Sequence, residues 1–118
     1  MNFNFKSFRG DTLAIDLAVT LGGTAFDLTG STLFFTLKRK ITDLDADALV
    51  QCQTGDRLTH TNAAGGLATL RLPAADTAPM PLNIPLVADI QVKTAAGEIY
   101  TVASGKITFS ADVTLRTT

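Results

Sequence analysis

The chain has 118 residues, a formal net charge of −1 and 46% hydrophobic residues, a balance that fits an ordinary globular core. No basic run exceeds Lys38-Arg39-Lys40, which argues against a face built on phosphate contacts, and no apolar run approaches the roughly 20 residues of a membrane span. Cys52 is the only cysteine, so an internal disulfide is excluded and a small buried hydrophobe is expected.

Glu98 is the sole glutamate among 11 acids; the others are aspartates. Aspartate competes with the helix for backbone hydrogen bonds, and the abundant threonine suits a pleated surface. The composition therefore leans to β structure. The first residues lack the continuous apolar core of a signal peptide, so synthesis in a cytoplasm is the expectation.

In chain order, Phe3 and Phe5 alternate with Asn4 and Lys6 towards Phe8. This reads as a short first strand, or as an arm that docks on a neighbour. Arg9-Gly10-Asp11 reads as a turn. Residues 12–21 form the clearest strand, with Leu13, Ile15, Leu17, Val19 and Leu21 on one face. A slip of one residue would bury Asp16 and expose five large apolar side chains, so its register is strongly set. Gly22-Gly23 marks a tight turn. A brief extended piece over 25–28 follows, closed by Thr29-Gly30. The next strand, 31–38, places Leu33, Phe35 and Leu37 on one face; Phe34 breaks the polar pattern of the other.

Residues 41–53 hold the one stretch with helical character. Thr42-Asp43-Leu44-Asp45 resembles a capping arrangement, so one or two turns are expected before a strand through Val50 and Cys52. Residues 54–66 are polar and read as a surface loop with room for a short strand at 58–61. Residues 67–72 form a strand ended by Pro73. Three prolines within 74–85 predict an irregular crossover or a helical turn at 74–77. Residues 85–114 then give two extended arms around Ala95-Ala96-Gly97. Ala88, Ile90 and Val92 alternate with Asp89, Gln91 and Lys93, the period of a half-buried strand. This hairpin should lie at the centre of the sheet. Ser104-Gly105 suggests a bulge in its second arm, and Ile107, Phe109, Val113 and Leu115 continue its pattern.

The fold class expected is therefore all-β. It is an antiparallel β-sandwich of about seven strands over residues 1–118, a single immunoglobulin-like domain with short helical turns near 43–49 and 74–77.

The ordered signals Phe8-Arg9-Gly10-Asp11-Thr12, Phe26-Asp27-Leu28-Thr29-Gly30, Leu33-x-Phe35-x-Leu37-Lys38, Gly66 with Leu70-Arg71-Leu72-Pro73, and Val87-Ala88-Asp89-Ile90-Gln91-Val92 span most of the chain. Gly97-Glu98-Ile99, Thr101-Val102, Gly105-Lys106-Ile107 and Asp112-Val113-Thr114 complete the set. Taken together, the chain resembles the immunoglobulin-like domain at the N-terminus of phage baseplate upper proteins, and related small phage tail proteins. The resemblance implies a virion structural part made in a bacterial host, with a place in tail or baseplate assembly or in attachment. Its implied partners are other phage tail and baseplate proteins.

Sites of chemistry are sparse. Arg9-Gly10-Asp11 has the letters of an adhesion motif but serves a turn. Asp43-x-Asp45-x-Asp47 lacks the Gly and Glu of a calcium loop, with Ala48 and Thr54 in their places; helix capping and a solvated acidic face are expected instead. His60, the only histidine, has no neighbouring zinc or triad signature. Two aspartates could meet in space as a glycosidase pair, but such clefts carry aromatic platforms, and the chain has no Trp and one Tyr. No catalytic residue, metal ligand or cofactor is assigned. The expectation is a non-enzymatic module acting as a homo-oligomer, with neither nucleic acid nor membrane as partner. Phe3, Phe5 and Phe34 are the candidate contact residues. A small adhesin or glycan-binding module is the alternative.

Overall fold

A computed structural model describes residues 2–111, with side chains from residue 4 onward. Ten strands account for most of it: β1 (Asn2–Phe8), β2 (Leu13–Ala18), β3 (Thr20–Leu21), β4 (Thr24–Ala25), β5 (Thr32–Lys38), β6 (Val50–Thr54), β7 (Arg57–Asn62), β8 (Leu67–Leu72), β9 (Leu86–Lys93) and β10 (Ile99–Ser110). The helical content is a 3-10 turn at Asp45–Asp47 and one turn of α-helix, α1 (Ala74–Thr77). Both lie where the sequence places them. The aspartates do not cap the 3-10 turn as expected, however: its N-cap is Leu44, and no side chain caps it.

Eight strands form one sheet in the order β1-β10-β9-β5-β6-β7-β8-β2, and β3 pairs with β4 separately. Inward side chains from both halves of that sheet, including Phe35, Ile90, Phe109, Leu58, Leu70 and Leu17, belong to one buried cluster. One face can feed one cluster only if the sheet folds over on itself, as in a β-sandwich. The fold-over lies at β6/β7, where just Gln53↔Arg57 and Thr54↔Leu58 pair, in parallel. The chain steps sideways there rather than reversing. Gly55 (φ 93) and Arg57 (φ 68) take left-handed backbone to allow it. Arg57 has a Cβ, so this conformation costs about 1–2 kcal/mol; its Nε meets Asp76 Oδ2 of α1 at 2.6 Å and holds the corner to the crossover.

Strands β9 and β10 are interior, as expected of the central hairpin. The bulge between them falls between Thr101 and Ala103, earlier than Ser104-Gly105. Val102 and Ala103 are consecutive yet both buried, and two inward residues in a row require an extra residue in that strand. The expected strand over 12–21 is also interrupted. Val19 N–H donates to Gly66 O (2.8 Å) and Val19 O accepts from Phe26 N–H (2.9 Å), so its backbone leaves the ladder. Leu21 lies beyond the break and is exposed, not inward. The first strand pairs within its own chain, running parallel to β10 with Phe5 opposite Ile107. Val113 and Leu115 lie outside the described residues.

The Arg9-Gly10-Asp11 turn is clamped by Thr77, a fully buried polar residue. Its Oγ1 donates to Asp11 O (2.6 Å), with Ala74 O further away at 3.2 Å, and accepts from Gly10 N–H at 3.1 Å. One hydroxyl thus satisfies a donor and an acceptor that would otherwise be orphaned under α1.

Candidate interaction face

The most unusual surface follows β5. The segment Lys38-Arg39-Lys40-Ile41-Thr42-Asp43-Leu44-Asp45 carries its charges around two aliphatic residues, and tertiary structure leaves both in water. Ile41 is 82% exposed and Leu44 71% exposed. Isolated exposed leucines are ordinary, but these sit on a loop with a fixed shape. Lys38 Nζ reaches Asp45 Oδ1 at 2.7 Å and donates to Asp43 O at 3.0 Å. Asp43 Oδ2 accepts from Lys40 N–H at 3.3 Å, and Asp43 N–H donates to Lys40 O at 3.1 Å. Downstream, Leu49 N–H returns to Leu37 O at 2.7 Å. The hydrogen bond and charge of Lys38 hold the Asp45 carboxyl below its ordinary range.

At the foot of the loop lies a groove of about 490 Å³ on the outer face of β5, β9 and β10. Ile41 and Val87 line it with apolar surface, Thr36, Ser104 and Gly105 give it a low floor of small residues, and Lys38, Asp89 and Lys106 are its charged lining. Register explains the floor: Asp89 sits opposite both Thr36 and Ser104, and Gly105 opposite Ala88. Asp89 is half-buried there. Burial pushes its carboxyl up, Lys38 pulls it down and Asp45 adds to the rise.

Beside the groove, the outward row Gln53, Phe34, Gln91 and Thr101 is polar around one half-buried ring. Gln91 Nε2 donates to Thr101 Oγ1 at 3.4 Å.

The candidate contact residues are dispersed. Phe5 packs on the core cluster and Phe34 faces outward from β5, with β9 and β10 between their strands. The backbone of Phe3 pairs opposite Gly105, and its side chain lies outside the described residues. The sequence pattern does not single out Ile41, and it places Leu44 only within the expected capping segment 42–45. The available signal was a pair of large aliphatics bracketed by charge on both sides.

The remaining singled-out residues occupy structural positions. Burial pushes the Cys52 thiol up to about 11, far from the thiolate a nucleophile needs. His60 Nε2 lies 3.5 Å from Thr54 Oγ1, which also accepts from Leu33 N–H at 2.8 Å. Among the described residues, no three His, Cys, Asp or Glu side chains gather as metal ligands, and no helix is long and apolar enough to cross a membrane.

Compared with known proteins, the chain matches no protein-family model, and no curated protein matches it.

Proposed function

We propose that the chain is a non-enzymatic structural module of a phage or prophage particle, serving tail or baseplate assembly or attachment through contacts with neighbouring proteins. The observation that carries the contact role is the pinned loop 39–49, which holds Ile41 and Leu44 in solvent. A preformed loop loses little entropy on binding, so its apolar area converts efficiently into affinity. Strands β1 and β2, at the two ends of the sheet order among the described residues, offer further places for pairing. The particle assignment rests on the family resemblance of the ordered sequence signals. The test is mass spectrometry of particles induced from a strain carrying the gene and banded by density. Co-banding of the chain with tail proteins is expected; a chain found only in the soluble fraction overturns the assignment. Tail or baseplate genes flanking its own are the corresponding genomic expectation.

The row of Gln53, Phe34, Gln91 and Thr101 favours a second reading, a small glycan-binding module, because a ring amid amides and hydroxyls can stack on and hydrogen-bond a sugar. Binding on a glycan array that is lost in Phe34→Ala would support it. A blank array removes it.

A further inference from the structure

The loop and its groove form a knob beside a hole. Lys38 holds the residues on both sides of Leu44, through Asp43 O and Asp45 Oδ1, so Leu44 is kept out of its own groove and remains 71% exposed. The groove is low where Gly105 and Ser104 supply little or no side chain, and apolar at Ile41 and Val87. A branched aliphatic side chain fits that chemistry. Charge adds to the fit. At the tip of the loop Asp47 is exposed, Asp45 being already paired with Lys38, and Lys106 stands exposed at the groove, whose lining also holds the half-buried Asp89. A knob and a hole adjacent on one surface, with an exposed acid at one and an exposed lysine at the other, satisfy the condition for a two-fold contact in which the same patch serves both partners.

We propose that a second copy of this chain docks here about a two-fold axis, the Leu44 of each copy entering the groove between Ile41 and Gly105 of the other. Asp47 of each loop tip then lies towards the opposing Lys106. The contact deepens the assembly reading and rests on it for biological purpose, though not for its geometry.

The experiment is sedimentation equilibrium of the purified full chain from about 1 μM to about 1 mM. The wild type is expected to reach twice the monomer mass. Leu44→Ser is expected to raise the dissociation constant roughly 30-fold or more, as for a central anchor, and Lys106→Glu to raise it less. Ile99→Ser removes another exposed aliphatic, 61% exposed at the start of β10, and should leave association unchanged. Thermal unfolding of each variant shows that it remains folded. A wild type that stays monomeric throughout overturns the contact. So does an unaltered dimer in Leu44→Ser, or equal loss in Ile99→Ser. None of these results bears on whether the chain co-bands with particles, so failure here and failure of the particle assignment are separable.

Discussion

Two Asp-Leu pairs stand at opposite ends of β5, and they meet different fates. Before the strand, Asp27 Oδ1 accepts from Thr29 N–H at 2.9 Å, and Leu28 is fully buried. After it, Asp43 Oδ2 accepts from Lys40 N–H at 3.3 Å, and Leu44 is 71% exposed. In both, an aspartate organises a local turn. The difference lies in what the rest of the chain brings. At the first end, Leu28 N–H meets Ala63 O at 2.7 Å, the Phe26 ring stands edge-on to Tyr100 at 6.3 Å, and Gly66 joins the backbones of Val19 and Phe26. At the second end, Lys38 binds the loop from beneath and nothing covers it among the described residues. An aspartate fixes each turn, reaching forward to Thr29 N–H in one and back to Lys40 N–H in the other, but only a long-range partner decides whether the adjoining leucine becomes core or contact surface.

The sharpest way to break the closed end is Gly66→Ala. Gly66 has φ +75, and a Cβ there would lie 2.6 Å from Val19 O and 2.7 Å from Phe26 O. Left-handed strain and overpacking together should cost roughly 3–5 kcal/mol, read as a fall in the urea midpoint. A loss under about 1 kcal/mol would mean that the end is not rigidly closed. Next comes the direct contrast. Leu28→Ala should cost about 2–5 kcal/mol by cavity formation, whereas Leu44→Ala should stay within about 0.5 kcal/mol at low protein concentration. Equal effects would erase the distinction between the ends.

A smaller effect is expected at the clamp beneath α1. Thr77→Val keeps the shape but leaves Gly10 N–H and Asp11 O without their hydroxyl, at a cost of roughly 1–3 kcal/mol. Faster amide exchange confined to the 9–11 turn is the accompanying local signal.

The smallest effect tests the open end. Because burial raises the Asp89 carboxyl in the folded state, folding is penalised increasingly as pH rises above the ordinary carboxylate range, and the penalty is complete above the folded-state value. Below the range of an ordinary carboxylate, the group is protonated in both states and contributes nothing. Asp89→Asn should therefore stabilise the monomer slightly at neutral pH, by less than about 0.5 kcal/mol, and the gain should vanish on acidification. A gain that grows as pH falls would contradict this.

Several features of the molecule are legible in the chain without its fold. The alternation of Leu33, Phe35 and Leu37, and of Ala88, Ile90 and Val92, identifies buried faces that are fully or nearly fully out of water. Pro73 ends β8, and the helical turn at Ala74–Thr77 follows it. Other features depend on contacts distant in sequence. The break at Val19 is set by Gly66, the bulge by the need to bury Val102 and Ala103 together, and the parallel docking of β1 by Ile107 at the far end of the chain. The sideways step at Gly55 and Arg57 has no hydrophobic period to announce it.

The sequence by itself determined the all-β class and most inward faces, because a strand's two-residue period is a property of neighbouring residues. Only the tertiary structure decided where the sheet folds over, which leucine of two similar turns is buried, and that Ile41 and Leu44 stand beside a groove. Those outcomes depend on which remote backbone arrives to take a hydrogen bond or cover a side chain, and local periodicity carries no record of it.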